Sequence, residues 1–166
     1  MTAVMKAATS RTTTNSLPVT HSKKEGLDRF LTYRLHVLNK LTDRKTNAEY
    51  EKSVQLTLSD CRCLAAVGYF HTVSINDLAI YANLDKSQAS RAAQGLANNG
   101  FISRQSQVGD SRVVNLVLTE KGRVAYDKVI SIATKRNKNV FSVLTISERL
   151  LLSDLLDKLI ENARVA

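Results

Sequence analysis

The sequence predicts a mainly α-helical fold carrying one small β-hairpin, on three observations. One proline and six glycines in 166 residues leave room for long helices. Apolar residues recur at three- and four-residue spacing over most of the chain, as a helix with one buried face requires. The departure from that period lies around Gly109-Asp110, where residues 101–105 and 113–118 are β-rich runs flanking turn residues. A chain of this length suits one domain with a moderate core, or two small ones.

Residues 1–25 form the first segment. Its first 24 positions carry Lys6, Arg11, Lys23 and Lys24 with many Ser and Thr but no Asp or Glu, and 9–20 lack an apolar period. That composition suits a flexible polar arm; an organellar transit peptide is the alternative. A secretory signal is disfavoured because no continuous apolar core is present, and no run approaches the ~20 apolar residues of a membrane span. The first helix is expected over 27–44, with Leu27, Leu31, Leu35, Leu38 and Leu41 on one stripe, followed by a polar gap over 47–52. The second starts near Ser59, capped by Ser59 or Asp60, and runs to about Phe70. Residues 71–73 read as a connector. Ser74 caps a short third helix over 75–81, and Asn83-Leu84 makes the turn.

Asp85 caps the fourth helix, with Gln88 at the capping-box spacing. Asn99-Gly100 stops it, Gly100 being free to take the left-handed conformation. The hairpin follows, with Asp110-Ser111-Arg112 in its turn. Thr119 caps a fifth helix reaching about Asn137. Thr145 and Glu148 form another capping box, and Leu150, Leu151, Leu155, Leu156, Leu159 and Ile160 drive a last helix too apolar to stand alone. No internal repeat is present.

A short helix, a tight turn, a helix of small residues and then a hairpin is the order of a winged helix-turn-helix. A recognition helix must bury one side and present polar or basic groups on the other. Ala89, Ala93 and Leu96 supply the buried side of the fourth helix; Ser87, Gln88, Arg91 and Gln94 lie on the opposite arc. Gln can pair with adenine and Arg with guanine through two hydrogen bonds, while Ser reaches bases or phosphates. Taken alone the helix reads rather as an ordinary amphipathic surface helix, and the flanking elements reverse that in favour of DNA. In the wing, Asp110 can brace the Arg112 guanidinium for a narrow minor groove, whose potential attracts cations. Arg104 at the wing base can touch phosphate. A solvated ion pair worth little is the alternative for Asp110 and Arg112.

From Leu56 to Gly122 the chain resembles the MarR family of transcriptional regulators, through LTLSDCRCLAAV, INDLAIYANLDKSQASRAAQGLANNGFI and GDSRVVNLVLTEKGR. The Asp110-Ser111-Arg112 turn matches the family's Asp-x-Arg wing. The first and last two helices match less specifically, so the resemblance covers about residues 27–162. It implies a homodimer on a pseudo-palindromic duplex operator, with Ser87, Gln88, Ser90 and Arg91 facing the major groove and Arg112 entering the minor groove. It divides the chain into an arm (1–25), a dimerisation helix and connector (27–56), a winged helix-turn-helix DNA-binding domain (57–122) and C-terminal dimerisation helices (123–166). Two departures stand out. Gly95 sits inside the recognition helix at a cost of ~1 kcal/mol relative to Ala, and Ser111 stands where many relatives carry Arg.

The chain carries a formal charge of +9, which suits a polyanionic partner. Yet residues 57–122 hold six bases against five acids, so most of the excess lies outside the reading domain. The arm either adds sequence-blind phosphate contact or is a solvated tail. The resemblance also implies release of DNA by a small aromatic carboxylate or phenolic effector bound between the dimer helices and the reading domain. Tyr33, Arg34, His36 and Arg62 are the candidate contacts: a guanidinium pairs with a carboxylate in a fork, and an aromatic wall holds a ring. Helix-to-helix ion pairs are the competing use of both arginines.

Cys61 and Cys63 raise a thiol-based redox alternative. Residues two apart on a helix point about 200° apart, which disfavours a disulfide between them; single oxidation or pairing across subunits is the redox route, and buried inert cysteine is the commoner alternative. Two cysteines make no disulfide framework, and a reducing cytoplasm is expected. An enzyme is not expected: the histidines at 21, 36 and 71 lack metal spacing, and there is no phosphate loop and no nucleophile elbow. No cofactor is implied. A repressor is the leading reading; a non-specific architectural DNA-binding protein is the competitor.

Overall fold

The computed structural model describes residues 26–107 and 110–165, with the side chains of 106–113 outside the description. A 3-10 turn over Leu27–Arg29 leads into α1 (Leu31–Val54), α2 (Leu58–Phe70), β1 (Val73–Ser74), α3 (Ile75–Tyr81), α4 (Lys86–Asn98), β2 (Ile102–Gln107), β3 (Asp110–Leu118), α5 (Glu120–Val140) and α6 (Ile146–Val165). The three strands form one antiparallel sheet in the order β1-β3-β2. This is the expected fold class, mainly helical with a small sheet at the wing.

Local chemistry sets the boundaries. Ser74 accepts from the Asp77 amide at 3.2 Å and starts α3, and Thr119 accepts from the Gly122 amide at 3.0 Å and starts α5. Asp85 and Gln88 form the expected capping box of α4, each side chain accepting from the other's backbone N–H. Gly100 follows α4 with φ +72°, the left-handed conformation that costs a β-carbon-bearing residue most. At the α5 start, a β-carbon on Gly122 would run into the Phe101 carbonyl, so glycine lets α5 approach the base of β2.

Several boundaries differ from expectation. The first helix does not stop at Arg44 but continues through the polar stretch to Val54. No glycine or proline interrupts it, Thr46 and Tyr50 are buried along it, and its polar residues bond within it, as Asn47 Nδ2 does to Glu51 Oε1 at 2.6 Å. The α2 cap is Thr57, with Asp60 as its capping-box partner, rather than Ser59 or Asp60. Val73, taken as connector, belongs to β1, pairing with Leu116. Asp110, Ser111 and Arg112 lie within β3 rather than in a turn, Asp110 pairing with Gln107. The fifth helix runs three residues past Asn137, to Val140.

The core sits where α2, α3, α4 and the sheet meet, around Leu64, Val67, Leu78, Leu96 and Leu116. Helix α5 crosses α2 at Gly68, where any β-carbon would strike the Tyr126 ring. One polar cluster ties the long helices to the reading domain. Asp43 of α1 meets Arg62 of α2 at 3.1 Å and Arg136 of α5 at 2.9 Å. Arg62 donates a hydrogen bond to Asp43 Oδ2. Arg136 instead donates to Thr42 Oγ1 at 2.8 Å, leaving Asp43 Oδ1 in Coulombic contact without a hydrogen bond.

The leucine stripe of α1 does not pack in its own chain: Leu27, Leu31, Leu35, Leu38 and Leu41 are all exposed. No residue of α6 is buried, and Leu150, Leu151, Leu155, Leu159 and Ile160 are open to solvent. No helix among the described residues is long and apolar enough to cross a membrane. The arm, residues 1–25, lies outside the described residues.

Candidate nucleic-acid interface

Helix α4 is the most sharply two-faced element of the reading domain. Ala89, Ala92, Ala93 and Leu96 are buried against α2 and α3, while Ser87, Gln88, Ser90, Arg91 and Gln94 are exposed. The small alanines let the helix sit close to its support, and the polar side chains project from the far side. Thirteen residues give it a length of about 20 Å, enough to lie in a major groove about 12 Å wide. Gly95 takes no close neighbour within 4 Å, so no packing demand explains the glycine.

The exposed side chains are already organised. Arg91 Nη1 donates to Ser87 Oγ at 2.8 Å, one turn apart on the same face. Gln88 Oε1 accepts from the Asp85 amide at 3.2 Å, so a bidentate pairing with a base would require it to release the cap. Arg104 on β2 donates to Gln94 Oε1 at 2.8 Å, and Gln94 Nε2 donates to Asn98 Oδ1 at 2.6 Å. This chain joins the wing base to the recognition helix and fixes the Arg104 guanidinium, while occupying both ends of the Gln94 amide. The sequence reading omitted Asn98, whose exposed position ten residues after Gln88 matched no motif.

Lys121 was also missed. Its ammonium donates to the Asn99 carbonyl at 2.8 Å and lies 4.4 Å from the Phe101 ring centroid, closing the C-terminal end of α4 onto α5. The side chains of Asp110 and Arg112 lie outside the described residues, so the expected brace between them is not described.

The four effector candidates do not converge within the chain. Tyr33, Arg34 and His36 are exposed on the N-terminal half of α1, whereas Arg62 is engaged by Asp43. A cleft of about 350 Å³ between α1 and α5 is lined by Leu41, Thr42, Lys45, Thr46, Glu49, Lys135, Arg136, Asn139 and Val140, and contains none of the four.

The two thiols carry no sign of reactivity. Cys61 and Cys63 are buried, and burial, with a smaller contribution from the Asp60 charge, pushes each up to about 12. A reactive thiol needs the opposite shift. Although Arg62 lies between them in sequence, its guanidinium is turned to Asp43.

Comparison with known proteins follows the same outline. Residues 56–114 match the MarR family model. A curated relative, the HTH-type transcriptional regulator BilQ of Clostridium symbiosum, is 34% identical over 86 residues, which is 52% of this chain and 60% of that protein. The crystal structure of a MarR-family transcriptional regulator from Silicibacter pomeroyi superposes with a TM-score of 0.74 at 26% identity, covering 85% of this chain and 94% of the other. A mutant MarR from E. coli in complex with operator DNA shares the fold, with a TM-score of 0.69 at 21% identity over 78% of this chain and 92% of that one. The MarR family match thus covers the reading domain, and with the surrounding helices the chain shares the winged helix-turn-helix fold of solved MarR-family transcriptional regulators.

Proposed function

We propose that the protein is a cytoplasmic homodimeric repressor that holds a pseudo-palindromic duplex operator and leaves it when a small aromatic acid binds. The observation that carries this reading is the preformed α4 face. Five polar or basic side chains are presented on a helix whose opposite side is buried, beside a wing base tied to it through Arg104 and Gln94. In this reading Ser87, Gln88, Ser90 and Arg91 meet bases or phosphates in the major groove. Arg112, braced by Asp110, enters the minor groove, and Arg104 and Gln94 position the wing against the helix.

A second copy supplies the missing cover for α6 and the leucines of α1, since an apolar surface of that extent is otherwise wetted. Two-fold symmetry then sets two recognition helices about 34 Å apart, one DNA turn. An effector carboxylate that reaches Arg62 has to compete with Asp43 for it, which couples ligand binding to the α1–α2 crossing and shifts the spacing of the recognition helices.

The test is fluorescence-anisotropy binding to DNA from upstream of the protein's own gene against scrambled DNA at fixed salt, with a panel of aromatic carboxylates. Preferential binding that a carboxylate reverses is the expected result. Equal binding to both DNAs, unaffected by the panel, replaces the repressor reading with an architectural one.

A further inference from the structure

We propose that the groove between α1 and α5 docks an acidic, partly apolar peptide segment of a second protein. Three clefts of about 350, 480 and 320 Å³ run together along this seam: the first two share Glu49 and Lys135, the last two Lys52 and Ser53. Lys45 and Lys52 of α1 and Lys121, Lys128 and Lys135 of α5 line it. On each helix these lysines are seven residues apart, two turns or about 10.5 Å, and drift only about 20° per step, so they form two facing rows.

Glu49 is the one acid lining the three clefts, and none of the five ammonium groups makes an ion pair among the described residues. Arg136 also lines the first cleft but is paired with Asp43, so the five lysines less one glutamate leave four unpaired positive charges in this strip. Between the rows lie apolar groups, among them Val54, Ala125, Ile132 and Val140.

The position of the groove argues against duplex DNA as its occupant. Lys121 sits at the Asn99 end of α4, whereas Ser87 and Gln88 lie at the other end of a helix about 20 Å long. From Lys121 the groove runs on along α5. An operator read by the first turns of α4, as proposed above, leaves it uncovered. The surface offered to a second copy, the leucines of α1 and α6, reaches this groove only at Leu41.

The lining selects among the remaining polyanions. Lysine is a flexible point charge whose methylene stem adds apolar surface, and a bare phosphate chain uses the charge while leaving the floor wetted. Carboxylates interspersed with leucine or phenylalanine satisfy both.

The experiment uses the intact dimer and a fluorescein-labelled 18-residue peptide with glutamates interspersed by leucine and phenylalanine. The same peptide with lysine for glutamate is the control, and inorganic polyphosphate and single-stranded DNA are the competitors. The expected result is salt-sensitive binding of the acidic peptide alone, resisted by polyphosphate and by single-stranded DNA. Lys52→Gln with Lys128→Gln should weaken it about three- to tenfold, the loss of two exposed charge pairs, with operator affinity unchanged. Lys45→Gln with Lys135→Gln is the second variant, and an unchanged circular-dichroism melting curve shows that each is folded. Failure of the peptide to bind, equal binding of the control, equal binding by both variants, or displacement by either phosphate polymer overturns the assignment. Peptide binding without operator preference overturns the repressor reading and leaves this one standing.

Discussion

Replacing Asp43 by alanine removes the carboxylate that two guanidiniums share. At 3.1 and 2.9 Å, each attraction is worth about 5–6 kcal/mol gross at an effective dielectric constant near 20. Desolvation and side-chain ordering offset most of that. Fully exposed pairs net below about 1 kcal/mol, and removing one member of a buried pair costs about 3–5. Here the side chains keep 26–34% of their exposure, and Arg62 is the most exposed, which discounts the upper figure. The expected loss is therefore about 2 kcal/mol, part of it the mutual repulsion of Arg62 and Arg136 left without their counter-charge.

The assay is urea unfolding at fixed protein concentration, with a double-mutant cycle between Asp43→Ala and Arg62→Met. Arg62→Met should cost less, because Asp43 keeps Arg136. The coupling energy should reach about 1 kcal/mol. A loss below about 0.5 kcal/mol with coupling near zero refutes the reasoning, since such values belong to solvated surface pairs. The three helices would then be held by the Gly68–Tyr126 contact, apolar packing and the Arg136–Thr42 and Leu58–Asn47 hydrogen bonds.

Other outcomes are equally specific. Arg112→Ala should weaken operator binding by roughly tenfold, within the 1–3 kcal/mol of a specific contact, while sedimentation still reports a dimer; unchanged affinity removes the wing from the mechanism. Gly95→Ala should raise stability by about 0.5–1 kcal/mol, because the helix gains propensity and the new methyl meets nothing within 4 Å. Cys61 and Cys63 should resist a thiol reagent at pH 8 until urea is added. Their ionisation is held back in the folded state to about 12, so the unfolded chain loses protons first and stability should fall as pH rises above about 9; rapid native labelling would contradict their burial. Leu151→Asp with Leu155→Asp should yield monomers in sedimentation and abolish tight operator binding, and a persisting dimer would place the interface elsewhere.

The sequence disclosed most where a residue's own chemistry dictates local geometry. Asp85 with Gln88, Thr145 with Glu148, Ser74 and Thr119 all cap as their spacing implied, and Gly100 adopts the positive φ that stops α4. Elements whose shape depends on distant partners were harder to read. Val73 and Ser74 are too short a run to signal a strand, and become one only because Leu116 and Asn115 lie beside them. The polar stretch after Arg44 resembled a break, yet Thr46 and Tyr50 bury one side of a continuing helix. At the interface, exposure of the α4 side chains followed from helical periodicity. The Arg104–Gln94–Asn98 chain did not, because it joins a strand to a helix. Arg62 looked equally available for an effector, and only the fold brings Asp43, nineteen residues earlier, to meet it.

The unburied last helix has a consequence for the life of the molecule before it reaches DNA. A helix draws most of its stability from tertiary packing, and α6 buries no residue in its own chain. A newly made subunit therefore carries a visible sign that it is unassembled: a leucine-rich segment that opens readily to chaperones and proteases. In the proposed dimer, pairing hides the sign, so survival would depend on encounter with another copy and would rise faster than in proportion to synthesis. On that proposal solitary subunits are cleared while paired ones persist, and the supply of binding-competent protein acquires a threshold before any operator is occupied.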